Sequence, residues 1–125
     1  MTALLLDTHV VLWWRLDSPR LKRGARDAIA TADLVWVSAA SGWEVAIKQA
    51  LGKIRLVDSF ASMVESSEFG ELPVTLRHAD HLATLAPHHS DPFDRMLVAQ
   101  AQVEGATLVT HDRAFEPYGI PIVWT

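Results

Sequence analysis

The chain contains no cysteine. That absence excludes thiol catalysis, a cysteine-bound zinc or iron–sulfur centre, and any disulfide framework. Also missing are the Gly-x-Gly-x-x-Gly and Gly-x-x-x-x-Gly-Lys loops that cradle nucleotide phosphates, the His-Glu-x-x-His pair of zinc hydrolases, and the Gly-x-Ser-x-Gly elbow of serine hydrolases. No run approaches the roughly 20 apolar residues needed to cross a bilayer. Met1-Thr2-Ala3 carries no lysine or arginine, and the apolar run Leu4-Leu5-Leu6 stops at Asp7, unlike a secretion signal. The expectation is a cytoplasmic protein without a membrane partner.

A surplus of positive charge is absent too, since 11 Lys+Arg face 15 Asp+Glu for a net charge of −4. Nucleic-acid binding usually needs lysine and arginine to neutralise phosphates. Distribution matters more than the sum here. Arg15, Arg20, Lys22, Arg23 and Arg26 fall within twelve residues, and Lys48, Lys53 and Arg55 form a second group. If acids gather on metal ions, these bases are left to hold a phosphate backbone; the plainer reading is a solvated face.

What is present is apolar bulk. With 125 residues, 50% of them hydrophobic, the chain is read as one domain over residues 1–125, with a core that needs no staple. Ala3–Leu6 reads as a buried strand ending at an acid. Residues 9–16 form a short helix with two tryptophans, closed by Asp17-Ser18-Pro19. Leu21, Ala25, Ile29 and Ala32 recur at helical spacing, and Leu34–Ser38 is a second strand. Ser41 is placed to cap the next helix, with Glu44 in capping-box register and Gly52 at its end. Asp58 is placed to cap a helix bearing Phe60, Met63 and Val64. Phe69-Gly70-Glu71 reads as a turn and Leu72-Pro73-Val74 as a third, edge strand. Residues 76–85 are helical and 86–90 a loop. Asp91-Pro92-Phe93-Asp94 starts a helix that runs to Gly105. Thr107–Thr110 is a fourth strand leading into His111-Asp112, and residues 120–124 a fifth. This alternation predicts a three-layer α/β domain with a mostly parallel sheet.

In open α/β sheets, ligands bind beyond the carboxyl ends of the strands. Asp7 and Asp112 each follow a strand directly, and Glu44 and Asp94 each fall in the first turn of a helix starting at that edge. Four carboxylates converging there would raise one another's pKa and call for a cation. Oxygen donors without cysteine suit Mg2+ or Mn2+. Each acid also has a plainer reading: Asp7 as a helix cap, Glu44 and Asp94 as capping-box partners of Ser41 and Asp91, Asp112 as a turn former. The histidines show no metal-ligand spacing, and His88-His89 reads as a solvent-exposed loop pair. Trp36 and Trp124 read as strand core, whereas Trp13, Trp14 and Trp43 read as an interface.

The motifs Leu5-Leu6-Asp7-Thr8-His9, Ser41-Gly42-Trp43-Glu44, Asp91-Pro92-Phe93-Asp94-Arg95 with Leu97-Val98-Ala99-Gln100-Ala101, and Leu108-Val109-Thr110-His111-Asp112 occur in that order across nearly the whole chain. In this the sequence resembles the PIN-domain ribonucleases, specifically the VapC-like toxins of bacterial type II toxin–antitoxin systems. The resemblance implies a five-stranded sheet of order 3-2-1-4-5 flanked by helices. It places the catalytic and metal-binding acids on Asp7, Glu44, Asp94 and Asp112, with Asp91 left as a helix cap. His9 stands where many relatives carry a small polar residue such as asparagine.

The implied chemistry is hydrolysis of RNA phosphodiesters with Mg2+ or Mn2+, supported from behind by Thr8, Ser38, Arg95 and Thr110. The alternatives are a non-catalytic phosphate- or partner-binding module, and a DNA nuclease or metal phosphatase on the same acidic site. The resemblance also implies a homodimer and a cognate antitoxin. The antitoxin is expected to dock on Trp13 and Trp14, because Val10, Val11, Trp13, Trp14 and Leu16 exceed one buried helical stripe.

Overall fold

The computed structural model describes residues 2–125. Five strands, β1 (Ala3–Leu6), β2 (Leu34–Ser38), β3 (Gly70–Leu72), β4 (Thr107–Thr110) and β5 (Ile122–Trp124), pair in the order β3-β2-β1-β4-β5. All four pairings are parallel, so the expected mostly parallel sheet is wholly so. Parallel strands need crossovers that cover both sheet faces, which is why β1 can be a continuous apolar run.

Side chains alternate along each strand and supply two cores. Leu4, Leu6, Val35, Val37 and Val109 face one way, onto α1 (Thr8–Arg15) and α2 (Arg23–Thr31) through Val10, Val11, Trp13, Ala25 and Ile29. Leu5 and Leu108 face the other way, onto α6 (Pro92–Glu104) through Leu97, Val98 and Ala101, with Phe115 closing that core. Between them in sequence lie α3 (Ala39–Ala50), α4 (Phe60–Ser66) and α5 (Leu76–Leu82), the last packed on α6. A 3-10 helix, Arg113–Tyr118, joins β4 to β5.

Several local expectations need correction. The cap of α3 is Ser38, whose hydroxyl accepts the Ala40 N–H at 3.0 Å. Ser41 therefore lies inside the helix, its buried hydroxyl unpaired among the described residues. Glu44 consequently falls in the second turn rather than the first, too far in to complete a capping box. The cap of α4 is Ser59, because Asp58 is drawn into an ion pair with Arg15 at 2.6 Å. The third strand starts at Gly70, within the segment expected to turn. Glycine suits the close approach there, since a Cβ would lie a tight 3.2 Å from Trp36 Cδ1 on the neighbouring strand. The fifth strand and the helix after Thr75 are each shorter than expected, the strand starting only at Ile122 and the helix ending at Leu82.

Candidate metal centre

The end of β1 delivers Asp7 to the carboxyl edge of the sheet. Its backbone N–H continues the ladder to Val109 O at 3.0 Å, and its side chain makes no capping bond to α1. Asp7 thus stands at the N-cap position of α1 without lending its carboxylate to the cap. The residue is buried, at 5% exposure. Asp7 Oδ2 accepts the Thr110 hydroxyl at 2.7 Å, and the same Thr110 oxygen accepts the Asp112 N–H at 3.0 Å. One buried threonine at the end of β4 thus ties two of the acids together. On the other side, the Thr8 hydroxyl donates to Glu44 Oε1 at 2.8 Å, while Lys48 Nζ reaches Glu44 Oε2 at 2.9 Å from one turn further along α3.

A second group gathers where α6 begins. Asp91 Oδ1 accepts the N–H groups of Phe93 and Asp94 at 2.8 and 3.1 Å, so Asp91 caps the helix and Asp94 is released from that task. Asp94 Oδ2 instead meets His89 Nε2 at 2.8 Å. Asp112 Oδ1 caps the 3-10 helix by accepting the Ala114 N–H at 2.9 Å. Asp94 Oδ1 and Asp112 Oδ2 accept no hydrogen bond from any described residue. One donor atom from each of His89, Asp94 and Asp112 lies within 4.8 Å of the others.

The two groups share one electrostatic field. Burial raises the Asp7 carboxyl, and the charge of Glu44 adds to that; the Thr110 hydroxyl and nearby His9 oppose it. Burial likewise pushes Asp94 up to about 7, reinforced by the charges of Asp7 and Asp91 and opposed by His89. Carboxylates that raise one another in this way are poorly compensated by protein groups alone. Hard oxygen donors with lone pairs to spare fit a divalent cation. The residues present therefore suit the metal that the sequence resemblance implies.

The other sequence candidates sort by contact. Thr8 and Thr110 hold acids directly. Ser38 shapes α3 and bonds to no acid. Arg95 donates to Tyr118 Oη at 3.2 Å and to Ala86 O at 3.0 Å, so it braces the loop before α6 rather than the acids.

The basic groups are partly engaged: Arg15 pairs with Asp58, Arg26 with Asp17, and Lys48 with Glu44. Trp13 is 8% exposed and belongs to the core, which corrects its assignment to a docking surface. Trp14 is half-buried against Phe69, at 5.6 Å between ring centroids. Trp43 does face solvent, at 66% exposure, and packs edge-on against Phe93 at the rim of the acidic cleft.

His89 is the functional candidate that sequence reasoning missed. Far from being solvent-exposed, it is largely covered and turned into the site. Its only sequence signal is its position five residues before Asp94, which has meaning once the loop is known to fold back.

The PIN domain family model matches residues 4–120. Ribonuclease VapC22 of Mycobacterium tuberculosis is 33% identical over 126 residues, covering 97% of this chain and 95% of that protein. Among solved structures, VapBC2 from Rickettsia felis bound to a promoter DNA fragment superposes with a TM-score of 0.72 at 14% identity, covering 98% of each chain. A toxin–antitoxin complex from Klebsiella pneumoniae gives a TM-score of 0.63 at 22% identity, covering 95% of this chain and 94% of that one.

Proposed function

This chain belongs to the PIN-domain family, and from that membership we propose that it is a divalent-metal-dependent ribonuclease acting as the toxin of a toxin–antitoxin pair. The observation that carries the reading is the convergence of Asp7, Glu44, Asp94 and Asp112 on one sheet edge, with Asp7 and Asp94 raised by burial and by neighbouring charge. The similarity to a curated ribonuclease over almost its full length supports the same reaction class.

In this reading Asp7, Asp94 and Asp112 hold a Mg2+ or Mn2+ ion. Such a cation would supply positive charge for the scissile phosphate and would lower the pKa of a water toward neutrality. Thr110 keeps Asp7 oriented, and Thr8 does the same for Glu44. Lys48 neutralises Glu44 until substrate or cation takes over that charge. Exposed Lys53 and Arg55 remain for the phosphate backbone flanking the cut.

Partners follow from the surface. Trp43, Ile47 and Leu51 are exposed at four-residue spacing along α3, an apolar stripe suited to a homodimer contact beside the cleft. The antitoxin finds its apolar contact in a cavity of about 580 Å³ between α3 and α4, lined by Gly42, Phe60, Val64 and Phe69, with Glu65 and Glu71 at its rim. No described helix is long and apolar enough to cross a membrane.

The test is a panel of RNA, DNA and small phosphoester substrates with Mg2+ or Mn2+. RNA should be cut, excess EDTA should stop it, and Asp7→Asn should lower the rate ~10²-fold or more with the fold intact. Undiminished RNA cleavage by Asp7→Asn, or by wild type in EDTA, removes the metal mechanism. Cleavage of DNA or small phosphoesters alone moves the enzyme to another hydrolase class.

A further inference from the structure

We propose that His89 is a direct nitrogen ligand of the divalent cation, so that His89, Asp94 and Asp112 form a mixed nitrogen–oxygen set and the site favours Mn2+ over Mg2+. This rests on the metal-dependent reading above and deepens it.

The first support is spacing. Donor atoms of the three residues lie within 4.8 Å of one another. A cation bonded at roughly 2.0–2.2 Å has neighbouring donors about 3 Å apart and opposite donors a little over 4 Å apart. The trio is therefore gathered to within a small shift of the spacing one ion needs, with the His89–Asp94 contact opening to admit it. Asp94 Oδ1 and Asp112 Oδ2 also retain lone pairs that no described residue uses. A simple His89–Asp94 hydrogen bond would account for the 2.8 Å contact. It would not by itself bring a carboxylate oxygen of Asp112 within 4.8 Å of the same pair.

The second support is the way His89 is held. A solvent-loop histidine would be free to turn, whereas this one is fixed from three directions. Its backbone N–H donates to Tyr118 Oη at 3.1 Å, and that hydroxyl also receives Arg95 Nη1 at 3.2 Å. Arg95 in turn grips the same loop through Ala86 O at 3.0 Å. The imidazole lies edge-on to Phe115, which is wholly buried, at 6.2 Å between centroids. Metal ligands are commonly preset by such an outer layer of contacts, which fixes ring orientation before the ion arrives.

The consequence is selectivity. Mg2+ binds almost wholly through oxygen and retains its waters, whereas imidazole nitrogen raises affinity for Mn2+ and later first-row ions. The full chain, freed of metal by chelation, should bind Mn2+ more tightly than Mg2+ in calorimetry. Pulsed EPR of the Mn2+ form should show nitrogen hyperfine coupling. His89→Gln keeps a polar side chain that can still bond Asp94. It should abolish that coupling and weaken Mn2+ binding about tenfold or more, while Mg2+ binding changes less than about threefold. Its metal-free thermal unfolding should match wild type within a few degrees, which separates ligand loss from misfolding.

Mn2+ binding without nitrogen coupling, or coupling that persists in His89→Gln, overturns the ligand assignment and leaves the acidic site standing. Failure of the wild-type protein to bind either cation at millimolar concentration overturns both the assignment and the metal-dependent reading.

Discussion

The two halves of the acidic site are built on opposite terms. Asp7 and Glu44 are buried, and each has a threonine donor supplied by a neighbouring element; Glu44 also has a lysine. Asp94 and Asp112 are half-buried, begin a helix and a 3-10 helix, and each keeps an oxygen that accepts nothing. The deep half draws fixed donors from the protein, and the open half keeps oxygens free for something that binds. Charge placed deep must be held by fixed donors because water cannot reach it. Charge at the mouth can wait for a cation, and meanwhile burial and the charges of Asp7 and Asp91 push the Asp94 carboxyl up.

The halves meet at Thr110, so removing its hydroxyl should have the largest effect of the substitutions that spare the acids. Thr110→Val preserves shape but leaves Asp7 Oδ2 without its donor and the Asp112 N–H without its acceptor. Destabilisation of about 1–3 kcal/mol is expected, since a buried charged group loses its partner. Divalent-ion affinity should fall ten- to a hundredfold, as is usual when a contact behind a ligand is lost. Tyr118→Phe, which loosens only the open half, should leave stability within about 1 kcal/mol. Denaturant unfolding and calorimetry on both variants decide the matter. Affinity unchanged within twofold in Thr110→Val would show that the halves act independently.

A smaller effect should appear in the pH dependence of the metal-free protein. The Asp94 carboxyl titrates near 7 when folded, against 3.8 for an ordinary aspartate. An acid raised by folding contributes stability fully present below its unfolded value and lost as pH rises through its folded one. Stability should therefore decline between pH 4 and about pH 7. Screening at this half-buried site limits the loss to about 1–2 kcal/mol. Urea unfolding at pH 5 and pH 8 should show it, and Asp94→Asn should flatten it. Saturating divalent cation should restore stability at pH 8, because it binds the ionised form. Equal stability at both pH values, with no response to Asp94→Asn, would mean that the open half is already compensated by protein groups.

Legibility in the sequence follows the same division between local and distant causes. The strands β1, β2 and β4 are visible because each is a short apolar or β-branched stretch with a polar residue at or just after its end. The acids at those ends and at the start of α6 are visible for the same reason. Edge strands are less so. Gly70 reads as a turn because its role is to clear the face of Trp36, on a strand more than thirty residues earlier. Trp13 reads as surface because a short helix with two tryptophans looks over-apolar until both α2 and the sheet are packed against it. His89 is invisible to spacing because its loop is held by Tyr118, on the distant 3-10 helix, with Arg95 of α6 bonded to the same hydroxyl.

The start of α3 offers the finest contrast, since two serines compete there for one role. Both Ser38 and Ser41 are 1% exposed, so burial does not separate them. Bonding does, because Ser38 accepts the Ala40 N–H and Ser41 accepts none from any described residue. Ser38→Ala should therefore destabilise the protein by about 1 kcal/mol, the usual loss for an N-cap. Ser41→Ala should change stability by less than about 0.5 kcal/mol or raise it slightly, because an unpaired buried hydroxyl already carries a desolvation penalty. The ordering also bears on the deep half of the site. With Ser38 as cap, Glu44 lies beyond the first turn and gains little from the helix dipole, so its negative charge depends on Lys48 and Thr8. With Ser41 as cap, Glu44 would sit in the first turn and the dipole would share that task. Paired thermal-unfolding curves for the two alanine variants distinguish the arrangements, and a larger loss from Ser41→Ala would move the helix start and the support of Glu44 with it.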